Sequence, residues 1–330
     1  MGNRNMKTRM REMAGATLSG LGLVGVSELR VLAAAVGTGA PYSYWQEWAG
    51  PEFFHTDLET ALGLCTGNLN ETLLVSPESH PQADAVTWDK SITHCVGMYG
   101  PAFMNHRSRI GHSVTVSPLL TVSGSGCTFA NLYFPYGLAN ATDLNLLTVS
   151  GNRNSFINCH FLPSDATPLD EAGYALIKIS GSETYFKNCF FGGDTVAWTD
   201  GDMVKLGTAA GQVPRTIFEN CLFVMNADNA QVNFLASIAG IGRAAVIFKG
   251  CQFLNLGTAL TYAIDGTGIS GTGLTLAFDA NSYFAGATDV IVVGSESHVF
   301  LAPANTPINQ VTGGNSVALF NGLAATPDVS

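Results

Sequence analysis

Apolar residues recur along this chain in a pattern with a long period. Phe129-Ala-Asn131-Leu-Tyr-Phe134 is followed by Phe156-Ile-Asn158-Cys-His-Phe161 and Phe186-Lys-Asn188-Cys-Phe-Phe191. Then come Phe218-Glu-Asn220-Cys-Leu-Phe223, Phe248-Lys-Gly250-Cys-Gln-Phe253 and a degenerate Phe278-Asp-Ala-Asn281-Ser-Tyr-Phe284. The key position falls at 131, 158, 188, 220, 250 and 281, with intervals of 27, 30, 32, 30 and 31. A fixed period of this size is the mark of a solenoid.

Parity within the repeat selects the architecture. The first Phe and the Cys are three positions apart. In one straight strand they would face opposite sides. Both are suited to a core, so the Asn between them must sit at a bend that resets the alternation. Asn and Gly are the residues that accept a left-handed backbone there. Coils stacked at about 4.8 Å then align the corner Asn residues, one Cys column and two Phe columns.

A second apolar strand precedes each corner: Leu119–Val122, Leu146–Val149, Ala175–Ile179, Met203–Leu206 and Phe234–Ile238. Tyr262–Ile264 and Val290–Val293 continue the series, and several of these strands run into Ser-Gly or Gly-Thr turns. The segments Pro163–Gly173 and Gly192–Gly201 vary most and read as protruding loops. The expected fold is therefore all-β. It is a right-handed parallel β-helix with coils of about 30 residues, a short N-terminal capping helix and extended terminal arms.

The ends follow from the need to cover an open solenoid. Thr56-Asp-Leu-Glu59 reads as a capping box. It opens a helix with Leu58, Ala61, Leu62 and Cys65 on one face. Thr72–Val75 reads as the first strand, with Ile92–Val96 in the next coil, and the aromatic stretch Tyr42–Phe54, with Trp45 and Trp48, as a further plug. The organisation expected is a basic, partly helical arm at 1–40, a cap and first coil at 41–95, the β-helix at 96–300, and an extended tail at 301–330. The arm's helix is placed at about Asn5–Val36.

Charge modifies this picture at one end. The net charge is −10, with charged residues only 12% of the chain. Arg4, Lys7, Arg9 and Arg11 all lie in the first eleven residues, where there is no acid. Taking these four from the fifteen basic residues leaves eleven against twenty-five acidic ones. An acidic body argues against broad nucleic-acid binding. The basic arm suits an acidic protein surface. Ala14–Val26 is apolar but Gly-rich, and Glu28 and Arg30 break the run, which makes it a poor membrane span.

The seven cysteines contain no C-x-x-C pair. Stacked thiols point in parallel and miss the disulfide dihedral. Cys159, Cys189, Cys221 and Cys251 therefore read as buried free thiols, with no metal or cofactor implied.

The Phe-x-Asn-Cys-x-Phe coils resemble those of the pectate-lyase-like superfamily of parallel β-helices. The stretch from Phe54 to Asn68, followed by Glu71-Thr-Leu-Leu-Val-Ser-Pro-Glu-Ser-His80, resembles the capping region of β-helix proteins among tailed-phage virion components. The resemblance spans roughly residues 45–300. It implies a virion structural protein, not an enzyme, made in the host cytoplasm. Its place would be the capsid surface, as a decoration protein docked on the major capsid protein. It would be a homotrimer, with Arg4, Lys7, Arg9 and Arg11 as the docking residues and no nucleic-acid or membrane partner.

The alternative is a tailspike-like protein that binds or degrades polysaccharide as a lyase or hydrolase. A lyase needs an acidic calcium cluster and a nearby base, and a hydrolase needs paired carboxylates. Candidates are Asp165, Asp170, Glu171, Asp194, Asp200, Asp202 and Asp228, with Lys178, Lys205 and Arg215. Asp194, Asp200 and Asp202 are the group open to a cation. His94, His106, His112 and His160 are scattered and read as hydrogen-bonded or surface histidines.

Overall fold

The computed structural model describes residues 29–33, 53–98, 108–112, 117–136, 145–163, 173–208, 212, 214–269, 274–279, 281–293 and 298–301. The chain winds into a parallel β-solenoid with three sheets. Sheet A has 11 strands. In spatial order they are Phe54–His55, Leu29–Leu32, Glu71–Val75, Thr93–Gly97, Thr128–Ala130, Ser155–Ile157, Thr184–Lys187, Arg215–Glu219, Ala244–Lys249, Leu274–Phe278 and His298–Leu301. Sheet B has 8: Ser79–Gln82, Arg109–His112, Tyr133–Tyr136, His160–Pro163, Phe190–Trp198, Leu222–Ala227, Gln252–Asn255 and Tyr283–Ala285. Sheet C also has 8: Val86–Trp88, Leu120–Val122, Leu147–Val149, Ala175–Ile179, Asp202–Leu206, Asn233–Ser237, Leu260–Gly266 and Ala287–Val293. Each coil from Glu71 onward visits A, B and C in turn.

The A-to-B corner is the Asn position. Asn131, Asn158, Asn188 and Asn220 have φ of 57, 52, 52 and 52°, and Gly250 has 62°. The bend inferred from parity is thus a left-handed residue on every coil. Each of these four Asn N–H groups donates to a carbonyl one coil on: Ile157, Lys187, Glu219 and Lys249. Asn158 Nδ2 also donates to Asn131 Oδ1 at 3.1 Å. At Gly250 a Cβ would lie 2.6 Å from Asn220 Oδ1, so the smaller residue leaves room for its neighbour's amide.

Two phenylalanine stacks fill the lumen. Phe129, Phe156, Phe186, Phe218, Phe248 and Phe278 stack at 4.9–5.2 Å. Phe134, Phe161, Phe191, Phe223, Phe253 and Phe284 stack at 4.2–5.3 Å. Within single coils the two columns meet edge-to-face, as Phe186 and Phe191 do at 5.4 Å. Each pair adds about 1 kcal/mol beyond the area it buries.

The cysteines do more than fill space. Cys159, Cys189, Cys221 and Cys251 direct Sγ to the carbonyls of Phe129, Phe156, Phe186 and Phe218 one coil back, at 3.4–3.6 Å. Each thiol is a weak donor that ties consecutive corners. All seven cysteines are free and buried. Burial pushes the Cys95 and Cys189 thiols well above their ordinary range.

A second left-handed corner, before sheet A, has no sequence signature. Ile92, Gly126, Arg153 and Glu183 have φ of 52, 70, 58 and 62°. The N–H groups of Ile92, Gly126 and Arg153 donate to Ser125, Asn152 and Ser182 carbonyls one coil on. A β-branched residue there is strained. The Ser-Gly turns after sheet C are tighter still. A Cβ at Gly151 would lie 2.0 Å from Gly124 O, and one at Gly181 would lie 2.0 Å from Gly151 O.

Four features differ from the sequence reading, three of them at the N-terminal end. The cap helix α1, Leu58–Gly63, starts one residue later than the capping box proposes: Asp57 is the N-cap and accepts from Thr60 N–H. Its buried face is the expected one, with Leu58, Ala61 and Leu62 joined by Cys65. Leu29–Leu32, inside the segment read as a partly helical arm, is a strand seated between Phe54–His55 and Glu71–Val75. Its Val31 packs with Leu74 and Val96 in an apolar cluster separate from the main core. Alternating apolar residues matched to an open sheet edge outweigh helix propensity there. Phe54 belongs to that separate cluster rather than plugging the lumen. Gly192–Gly201 is largely strand, not loop, because Phe190–Trp198 pairs with the next coil across a bulge between Gly192 and Ala197. The arm before Leu29, Trp45, Trp48, the 164–172 segment and the tail after Leu301 lie outside the described residues.

Replacing one ring of a stack, Phe186→Ala, should lower stability by about 4 kcal/mol in urea unfolding. At the second corner, Ile92→Gly should raise stability by about 1 kcal/mol in the same measurement.

Candidate functional site

In-register stacking turns each outward position into a column along the rod, so chemistry is sorted by sheet. On sheet A the charges pair across coils. Glu183 is bridged by Arg153 Nε at 2.7 Å and Arg215 Nη2 at 3.0 Å. Glu219 takes Lys187 Nζ at 2.8 Å and the Tyr185 hydroxyl at 2.9 Å. Hydrogen bonding and charge from Arg153 hold the Glu183 carboxyl below its usual range. Arg215, a candidate catalytic cation, is thereby committed to an exposed ion ladder.

Sheet B carries an aromatic column. Arg109 lies 5.5 Å over the Tyr133 ring, Tyr133 stacks on His160 at 4.8 Å, and His160 meets Phe190 edge-on at 4.4 Å. His160 is a packing residue of this column. Asp194 is exposed on the Phe190–Trp198 strand, and Asp228 is exposed just beyond Leu222–Ala227. Asp200 accepts from Gly201 N–H at 2.8 Å and closes a turn.

Sheet C gathers the remaining candidates. Thr121, Thr148, Lys178, Lys205, Ala236 and Asp265 lie in register on successive strands. Asp202 leads the same strand as Lys205 and lies in register with Asn233. Its carboxylate sits 3.1 Å from Lys205 Nζ and accepts from Asn233 Nδ2 at 3.1 Å. Asp202 is 7% exposed, the only described member of the seven candidate acids that is buried. Burial raises its pKa, against the opposing pull of Lys205 and Asn233, and the charge of Asp265 adds to the rise.

The structure therefore joins Asp202 and Lys205, sets Lys178 one strand away, and disperses Asp194, Asp200, Asp228 and Arg215. Asp165, Asp170, Glu171, His106 and the arm residues Arg4, Lys7, Arg9 and Arg11 lie outside the described residues. Among the described residues no group of three or more His, Cys, Asp or Glu is placed to hold a metal ion. Nor is any described helix long and apolar enough to cross a membrane. Asn233 and Asp265 were missed by sequence reading. They have no motif, and only the coil register, at intervals of about 30 residues, would have pointed to them.

Two further histidines are withdrawn from solvent, His94 buried and His112 half-buried. His94 Nδ1 accepts from Thr128 N–H at 3.2 Å, and its other nitrogen lies 2.6 Å from Asn70 Oδ1. Burial lowers the pKa of His94 to about 4, and that of His112 to about 4.

Comparison with known proteins yields fold likeness only. No protein-family model matches the chain, and no curated protein matches it. Among solved structures, the pectin methylesterase from Aspergillus niger in deglycosylated form aligns with a TM-score of 0.47 and 12% identity, over 90% of this chain and 93% of that one. A pectin methylesterase variant in complex with a hexasaccharide aligns with a TM-score of 0.41 and 12% identity, over 85% and 90% of the two chains. The likeness is one of fold alone, and a parallel β-solenoid hosts many functions.

Asp202→Ala should cost about 3 kcal/mol, because it leaves the Lys205 ammonium without its carboxylate on a largely desolvated face. Adding Lys205→Met should recover part of that loss, with a coupling of about 1–3 kcal/mol in a double-mutant cycle read by urea unfolding. The Asp202 carboxyl takes up a proton more readily folded than unfolded. Its own contribution therefore favours the folded state in acid and is lost as pH rises through its raised value.

Proposed function

We propose that the chain is a polysaccharide-directed β-solenoid that takes an extended glycan along the outer face of sheet C. The carrying observation is the buried Asp202 carboxylate, held by Lys205 and Asn233 beside a column of threonines and lysines. A strip of hydroxyls, an amide, ammonium groups and the carboxylates of Asp202 and Asp265 offers donors and acceptors to a hydroxyl-rich chain. Repetition along the rod suits a repeating ligand. The raised pKa of Asp202 gives a carboxyl able to exchange a proton with a bound hydroxyl, the property a general acid or base needs.

The experiment is affinity electrophoresis of the full chain against a panel of neutral and acidic polysaccharides, with released reducing ends, unsaturated ends and alcohol measured in parallel. Binding to at least one polysaccharide is expected. Asp202→Asn should weaken it at least tenfold, about 1.4 kcal/mol, while the far-ultraviolet spectrum is unchanged. Failure to bind any member, or equal binding by the variant, overturns the reading. Product release separates an enzyme from a binding protein.

A second reading, the capsid decoration protein, draws on one observation. The Leu29–Leu32 strand fixes the chain at the capped end of the rod, so the basic residues Arg4, Lys7, Arg9 and Arg11 precede an anchored point. That arrangement suits a trimer docked through its arms on the acidic surface of a major capsid protein in a virion. Deleting residues 1–12 should then abolish binding to capsids without altering the unfolding midpoint of the solenoid. Normal capsid binding by the truncated chain would dismiss it.

A further inference from the structure

We propose that acid unlatches the N-terminal cap: protonation at His94, assisted by His80, releases the 57–70 segment from the first two coils while the later coils stay folded. Two hydrogen-bonded latches carry the inference.

The first is His94, on Thr93–Gly97, the second strand of sheet A after the cap. Its Nδ1 accepts from the Thr128 N–H of the next coil, so the ring proton is on Nε2 and is donated to Asn70 Oδ1. Asn70 ends the segment that follows α1. A second ring proton would face the Thr128 N–H, donor against donor, and one of the two contacts must break. The ring is 4% exposed, so the resulting imidazolium also lacks water.

The second latch is His80, on the first strand of sheet B. Its Nε2 lies 3.2 Å from Ser76 O and 3.3 Å from Ser76 Oγ. Its Nδ1 is buried without a hydrogen-bond partner, so a proton added there finds no acceptor. The same strand holds the helix. Gln82 Oε1 accepts from Leu58 N–H at 3.3 Å, and Gln82 Nε2 donates to His80 O at 2.9 Å.

The charged and titratable groups around these latches differ. Beside His80 stand Glu78, which accepts from Ser76 Oγ at 2.8 Å, and His112, in register with Gln82 on the next coil. Glu78 partly favours a charged His80, which is why His94 is the principal latch. Beside His94, the described neighbours are Asn70, Thr128 and the Glu71–Thr72 strand. Glu71 is already engaged by Thr66 N–H. Elsewhere on the cap, Arg30 donates to Leu64 O at 3.1 Å, and burial, with the charge of Arg30 added, disfavours protonation of His55. Nothing among these offers His94 a compensating carboxylate.

The cap itself is slight. It is a helix of six residues with Leu58, Ala61, Leu62 and Cys65 as its buried contacts, against coils zipped on both sides by full ladders. Such an element opens below the global unfolding free energy. A histidine whose folded pKa lies below its free value favours opening as pH falls through 6.5 and saturates near its folded value.

Cys65 reports opening directly, since the other six thiols lie in the coils. The full chain is treated with dithiodipyridine, which reacts with thiols in acid, and labelling is mapped by peptide mass spectrometry and corrected with a free cysteine peptide. Between pH 7 and pH 5 the Cys65 rate should rise about twentyfold, the factor for one histidine moving from 6.5 to about 4. Cys159, Cys189, Cys221 and Cys251 should stay protected. His94→Gln should flatten the response. Asn70→Asp, which gives the imidazolium a carboxylate and keeps a residue that tolerates the local φ of 57°, should also blunt it. An unchanged Cys65 rate, a rise shared by all seven cysteines, or a full response retained in both variants overturns the proposal.

Discussion

Everything in this molecule depends on one spacing. Parallel strands in register place each coil about 4.8 Å from the next. Side chains at equivalent positions must therefore be able to sit on one another, coil after coil. Flat rings satisfy this, as do small thiols that reach a neighbour's carbonyl and corner residues that accept a left-handed backbone. The Phe columns, the Cys column and the Asn corner are three answers to the same demand.

The spacing also governs the surface. Charges on neighbouring coils are close enough to matter to each other, so their sign is patterned. On sheet A, Glu183 stands between Arg153 and Arg215, and Glu219 receives Lys187. Sheet B avoids the problem with Tyr133, His160 and Phe190. Only sheet C places Lys178 and Lys205 in register, and there Asp202 is drawn under the surface to neutralise the second. Burial and pairing act in opposite directions on that carboxyl, and desolvation wins. A buried ion pair of this kind contributes little net stabilisation.

The N-terminal end obeys different rules because the repeat is not yet established there. A short helix, an inserted strand and several buried polar side chains substitute for a preceding coil. Hydrogen bonds that His94 and Arg30 donate and that Gln82 accepts do what ladders do elsewhere. Among the described residues, the cap helix is thus held by side-chain hydrogen bonds and apolar packing rather than by a strand ladder.

The sequence by itself determined the coil, its period and its corner. Phe186, Asn188 and Cys189 recur with the same neighbours, and alternation makes their parity incompatible with a straight strand. It determined the cap face of α1 for the same reason, through helical spacing. Recurrent residues are legible because stacking repeats the constraint. The corner at Ile92 and Arg153 was illegible, because backbone hydrogen bonds to the next coil impose it on residues with no preference for it. The Leu29–Leu32 strand was illegible because its partner lies 43 positions away, at Thr72. Likewise, Asp202 was one of seven similar acids in the sequence. Only the folded strand distinguished it: register brings Asn233 beside it and Lys205, three residues along, reaches its carboxylate, while Asp194, Asp200 and Asp228 stand in solvent or in turns.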